Sequence, residues 1–196
     1  MGKWGKAGRM YAGNAYKYLE RYIPKEDDEI VERVLMTSRV TRVTKGGKRF
    51  SFMAFCVVGN MKGAVGYGMG KAPEAPEAVR KAINAAKKNM VVIPLVNGTF
   101  PHEVEGRFGT SRVILRPAAP GTGLTAGGAV KAILYVAGVK NALSKSLGGN
   151  NPINLTKATF DAFSKLRTLS FQAKLRDKSF KDLLWESESK LSQQKL

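Results

Sequence analysis

Four strings in this chain have residue types and spacings that invite a chemical reading. Gly121-Thr122-Gly123-Leu124-Thr125-Ala126 satisfies G-x-G-x-x-G/A, the pattern by which a strand-to-helix turn offers backbone amides to a dinucleotide. Pro117 and Pro120 lengthen that turn, and no acid stands about 20 residues on to hold a ribose, the next being Asp161. The string is therefore a tight turn packing Gly127 and Gly128 on a sheet, or a place where Gly121, Thr122 and Gly123 meet a nucleic-acid phosphate. Lys45-Gly46-Gly47-Lys48-Arg49 is a basic tip between two strand-like runs. It either enters a groove and lays cations and amides on phosphates, with Phe50 and Phe52 anchoring its base, or is a plain solvated turn. His102-Glu103-Val104-Glu105 lacks the second histidine of a zinc-protease helix. Gly70-Lys71 is followed by Ala72 and lacks the first P-loop glycine, Val65 standing in its place.

With one His and one Cys, neither a catalytic triad nor a metal cluster assembles, and no paired carboxylates stand out. No enzyme activity, cofactor, metal or small-molecule substrate is expected. Cys56 lies in an apolar run and reads as a buried residue; a lone cysteine fits a reducing or organellar compartment.

The charge points elsewhere. The chain has 196 residues, with 33 Lys plus Arg against 15 Asp plus Glu, a net charge of +18. A compact body with that excess repels itself unless a polyanion neutralises it, and nucleic acid is the usual reason. A membrane surface is the rival, but no strongly amphipathic basic helix with an aromatic face is visible, and no apolar run approaches the roughly 20 residues that span a bilayer. The expectation is a soluble protein without membrane contact.

The positive charge is concentrated. Between Glu32 and Glu74 there is no acid, while Arg33, Arg39, Arg42, Lys45, Lys48, Arg49, Lys62 and Lys71 are all basic. From Gly106 to Phe160 there is again none, against Arg107, Arg112, Arg116, Lys131, Lys140, Lys145 and Lys157. Solvated faces usually mix both signs, so the two windows read as a polyanion footprint.

These residues need elements to position them. Val34 to Thr44 and Phe50 to Val58 alternate as strands around the Lys45–Lys48 turn. A third strand, about Ala64 to Lys71, has Ala64, Gly66, Gly68 and Gly70 on one face. That face is nearly bare, so a packed helix or an RNA backbone must approach it closely. Pro73 marks the first turn of a helix of roughly 17 residues. Ala75, Val79, Ala82, Ile83, Ala86 and Met90 fall on its core side. Arg80, Lys81, Lys87 and Lys88 fall opposite, as a phosphate comb or an ordinary solvated face.

After Asn89 the pattern restarts. Val91–Val96 and His102–Leu115 are strand-like, the latter broken near Gly106 to Thr110. A small-residue helix covers Ala126–Ala137 up to Gly138, a strand Asn141–Leu147, and a helix capped by Asn151 runs to about Leu169. The fold class is α+β, in two domains at 31–92 and 93–172. Residues 1–30 form a basic aromatic arm that clings to RNA, is left from an organelle-targeting segment, or is disordered. Residues 173–196 form a tail with a short helix around Phe180 to Trp185.

Several strings are rare enough to identify a family. Arg42–Phe52 (RVTKGGKRFSF), Gly66–Ala72 (GYGMGKA), Arg116–Ala129 (RPAAPGTGLTAGGA), Ala137–Asn141 (AGVKN) and Leu147–Asn154 (LGGNNPIN) resemble the small-subunit ribosomal protein S-five family, bacterial and organellar branch. The likeness covers about residues 30 to 170 in order. It implies a first domain like a double-stranded-RNA-binding fold, with three strands and a helix, and a second with a left-handed βαβ crossover. It also implies a structural role in the small subunit, near the decoding region and where mRNA enters, with an influence on accuracy. Thr44–Arg49 would then reach into small-subunit rRNA, Gly109, Thr110, Ser111 and Arg112 would face ribosomal protein four, and the second domain would neighbour protein eight. The aromatic arm and the tail depart from a compact bacterial member and favour a mitochondrial ribosome over a bacterial cytoplasm or a plastid. A free RNA-binding regulator using the first domain is the alternative.

Overall fold

The computed structural model describes residues 19–24, 28–168, 171, 173 and 175–177. Most of the arm and the proposed tail helix lie outside them. Sheet one has the order β1-β2-β3-β4, built from β1 (Val31–Thr44), β2 (Gly47–Gly59), β3 (Ala64–Ala72) and β4 (Val91–Val92). All neighbouring pairs are antiparallel. Helix α1 (Ala75–Lys88) covers one face.

The bare face of β3 is filled by that helix. A Cβ on Gly66, Gly68 or Gly70 would fall within 2.4 Å of the carbonyl oxygens of Ala86, Ala82 and Ala78 respectively. Alanines spaced four apart present a flat stripe, and alternate glycines let the strand's backbone meet it. The first turn of α1 holds Pro76, not Pro73, which precedes the helix; the helix has 14 residues, and its fully buried positions are Ala78, Ala82 and Ala86. Ala75, expected on the core side, is only partly buried, and Val79 and Ile83 flank the stripe.

Sheet two has the order β5-β6-β8-β7: β5 (Val104–Phe108), β6 (Ser111–Pro117), β7 (Leu124–Thr125) and β8 (Ala142–Gly148). Strands β7 and β8 run parallel, joined through α2 (Gly128–Ala137), and α3 (Pro152–Lys165) follows. Asn151 caps α3 as its position demands, its side chain accepting from Ile153 N at 3.0 Å. Several boundaries differ from expectation. Gly106 sits inside β5, not at a break, because α3 crosses it: a Cβ there would lie 2.0 Å from Ala158 O. Leu124–Thr125, expected in the helix approach, pair with β8, so α2 starts two residues late. Only Val91–Val92 of the Val91–Val96 run joins a sheet, and α3 ends at Lys165, not Leu169.

The two sheets share one core. Val57, Val65, Val91 and Ile93 from the first pack with Phe100, Leu115, Ile133, Phe160 and Phe163 from the second, and Tyr67 meets Phe160 edge-on at 4.8 Å. Backbone bonds tie the halves together, Met61 N donating to Val136 O at 3.0 Å and Gly63 N to Ala137 O at 2.9 Å. Residues 19–24 are already part of this body: Tyr22 N donates to Met90 O and Val92 N to Glu20 O, both at 2.9 Å, extending the sheet beyond β4.

Candidate nucleic-acid interface

Strand β3 pairs with β2 only as far as Phe52, opposite Ala72. Beyond that point β1 and β2 continue alone for five more facing pairs, Val40 opposite Ser51 through Thr44 opposite Gly47. The result is a two-stranded ribbon of roughly 17 Å standing clear of the body. Every residue from Thr41 to Phe50 is exposed. Lys45 and Gly46 make the two-residue turn; Gly47 has φ +123°, open to glycine but strained for an L side chain, and Thr44 Oγ1 donates to Gly47 O at 3.1 Å.

Side chains opposite one another share a face. Arg42 and Arg49 face each other on one side; Thr41 with Phe50, and Val43 with Lys48, lie on the other, where α1 packs farther down. Two arginines directly across a ladder repel, a penalty that a bound anion removes. Among the described residues no ion pair forms at Arg39, Arg42, Lys45, Lys48 or Arg49. Lys71, opposite Met53, continues the Arg42 side at the ribbon's foot, and Lys81 stands beside Gly70 with Arg80 exposed next to it.

The other candidates lie apart from this group. Lys87 pairs with Glu32 at 2.8 Å and Lys81 with Glu77 at 3.5 Å, so the α1 comb is partly neutralised, while the Lys88 carbonyl accepts from Arg21 at 2.9 Å. Lys62 is exposed on the β2–β3 loop, beside α2's end, and Lys131 is exposed on α2.

The second acid-free window is not acid-free in space. Arg107, Arg112, Arg116 and Lys145 stand on the open face of sheet two, where β5 and the residue before it bring Glu105 and Glu103 from outside the window. Arg112 forks onto Glu105 with Nε at 2.7 Å and Nη2 at 2.8 Å, and Arg116 meets Glu103 at 3.0 Å. Hydrogen bonding by Arg112 holds the Glu105 carboxyl below its ordinary range, so this pair contributes in full above that range and is lost as pH falls from there through the lowered value. Arg107, opposite Arg112, is exposed, and its backbone N–H donates to Asp161 at 2.9 Å.

The 121–123 turn is engaged from within. Gly121 N and Gly123 N both donate to Asn141 Oδ1, at 3.1 and 3.0 Å, and Thr122 N donates to Ala119 O. The amides expected to hold phosphate are taken, and β7 separates the turn from the start of α2; the turn offers bare α-carbons and the Thr122 side chain instead. Of the Gly109–Arg112 segment, Ser111 is wholly buried, its hydroxyl donating to Gly149 O at 2.6 Å. Gly109, Thr110 and Arg112 are the residues left at the surface.

The sequence offers Phe50 and Phe52 together as the ribbon's anchor. The anchor is Phe52, beneath α1; Phe50 is 51% exposed, under the Arg39 guanidinium at 4.7 Å. Which phenylalanine is covered depends on where α1 begins, a fact that strand alternation does not contain.

Two family profiles match the chain: ribosomal protein S5, N-terminal domain, over residues 30–94, and ribosomal protein S5, C-terminal domain, over residues 106–176. The small ribosomal subunit protein uS5 of Thermotoga petrophila is 51% identical over 156 residues, 80% of this chain and 88% of that protein. The protein of the same name in Chloroflexus aurantiacus is 50% identical over 165 residues, 84% of this chain and 92% of that one.

Proposed function

The chain belongs to the ribosomal protein S5 family, and from that premise we propose that its ribbon and the cations at its foot grip folded small-subunit rRNA. The protein is a structural constituent of the small ribosomal subunit, not an enzyme. A free RNA-binding regulator is disfavoured because both S5 domains match in order, not the first alone.

The observation that carries the rRNA contact is the ribbon and its foot, where Arg39, Arg42, Lys45, Lys48 and Arg49 form no ion pair with any described acid. Cations held that way release counterions from RNA on contact. Exchanging Lys45, Lys48 and Arg49 together for Ala is expected to weaken binding to small-subunit rRNA and to flatten the plot of log K against log salt by roughly 0.7 to 0.9 per lost phosphate contact. An unchanged slope removes the ribbon from the interface. Failure of the intact protein to sediment with small subunits through moderate salt overturns the ribosomal reading itself.

Finer assignments extend this proposal. The ribbon works near the decoding region, and the basic surface borders the mRNA where it enters, which is how the protein contributes to accuracy. Gly109, Thr110 and Arg112 face ribosomal protein four, and the second half of the chain neighbours protein eight. The open face of sheet two around Arg112 supports a protein neighbour: Glu105 already pairs that cation, and Leu147 opposite it and Leu143 are exposed. Gly121, Thr122, Gly123, Arg107, Arg116 and Lys131 remain secondary rRNA contacts. The protein's place is the ribosome; the named relatives are bacterial, and the mitochondrial reading rests on the aromatic arm and the tail.

A further inference from the structure

We propose that Phe50 is a stacking platform for one unpaired RNA base, with Arg39 as its cationic backing; this rests on the reading of the ribbon as an rRNA contact. Phe50 and Phe52 point to the same side of β2. Phe52 is covered by α1, with Val79 and Ile83 in the same cluster, whereas Phe50 is one pair beyond the helix and 51% exposed. A large aromatic on a solvated ribbon forgoes hydrophobic burial that the free protein nowhere recovers. Opposite it stands only Thr41.

The ring is nonetheless held. The Arg39 guanidinium lies 4.7 Å from its centroid, fixing the ring against a cation and leaving its remaining surface to solvent. An aromatic ring backed by a guanidinium and flanked by unpaired cations accepts a nucleobase face: the base stacks, the guanidinium adds a cation–π component, and Lys48 on the same face reaches the adjoining phosphate. Paired bases in a duplex are already stacked above and below, so the occupant is an unpaired or bulged nucleotide. An apolar pocket on a protein fits less well, since the ribbon around the ring carries Arg42, Lys45, Lys48 and Arg49 and no acidic residue of its own.

The test uses the full chain and two RNA hairpins, one carrying a single bulged 2-aminopurine and one fully paired. The intact protein is expected to bind the bulged hairpin more tightly and to quench its fluorophore. Phe50→Ala should weaken binding to the bulged hairpin roughly five- to a hundredfold, abolish the quenching, and leave the paired hairpin's affinity unchanged. Phe50→Tyr should keep both properties. Equal losses on the two hairpins, or no loss on either, with the circular dichroism spectrum unchanged, overturn the stacking proposal. If the intact protein binds both hairpins but the Lys45, Lys48 and Arg49 triple exchange changes neither affinity, the RNA reading of the ribbon fails instead.

Discussion

Single residues in this protein divide into those occupied inside the fold and those left facing out. Cys56 belongs to the first group. It is wholly buried between β1 and β3, and burial, helped by the charge of Glu32, pushes its thiol up to about 11. The thiolate is the nucleophile, so Cys56 should resist iodoacetamide at pH 8 in the native protein and react only on unfolding, as mass spectrometry would show. Rapid native alkylation would contradict its burial. Asn141 is similarly committed, closing the 121–123 turn with one carbonyl oxygen. The ribbon cations and Phe50 form the second group, exposed and without an ion pair to any described acid.

At the scale of elements, the same device recurs: a strand glycine placed under a helix. Gly66, Gly68 and Gly70 admit α1, and Gly106 admits α3. Gly68→Ala places a methyl 2.3 Å from Ala82 O and from Ala86 N, backbone atoms that move only if the helix moves. The expected loss is about 3 kcal/mol in denaturant unfolding. Gly46→Ala is the contrast: a Cβ there meets nothing within 4 Å, so stability should stay within about 0.5 kcal/mol. Equal effects of the two changes would refute the packing account. The bareness of the strand is legible in the sequence as a demand for close approach. That a helix meets it, not RNA, is decided by the four-residue alanine spacing of α1 and the short β3–α1 connection, which bring the helix back onto its own strand.

For the whole molecule, the two halves do not behave as beads on a linker. A Cβ on Gly138 would lie 1.9 Å from Met61 O, and one on Gly59 would lie 2.1 Å from Val136 O; backbone touches backbone across the junction, and one apolar core runs through it. Calorimetry should therefore find a single unfolding transition, with van't Hoff and calorimetric enthalpies equal. Two resolved transitions would show that the halves unfold independently. The charge follows the same geometry. Arg42, Lys45, Lys48 and Arg49 of the first basic window project on the ribbon without an ion pair to any described acid, while Arg112 and Arg116 of the second lie on a sheet where Glu105 and Glu103 meet them. The +18 excess is thus free at one end of the molecule and partly offset at the other.

The succession of strands and helices apart from β7, the glycine stripe, the Asn151 cap and the family motifs were legible in the sequence, because each depends on residues near one another in the chain. The length over which β1 and β2 stand alone, the exposure of Phe50, the engaged amides of Gly121 and Gly123, and the carboxylates that return to Arg112 and Arg116 were decided only by tertiary structure. Each of these turns on which distant segment comes to lie beside it. A charge's partner, or a ring's cover, is fixed by distance in space, and separation along the chain does not determine that distance.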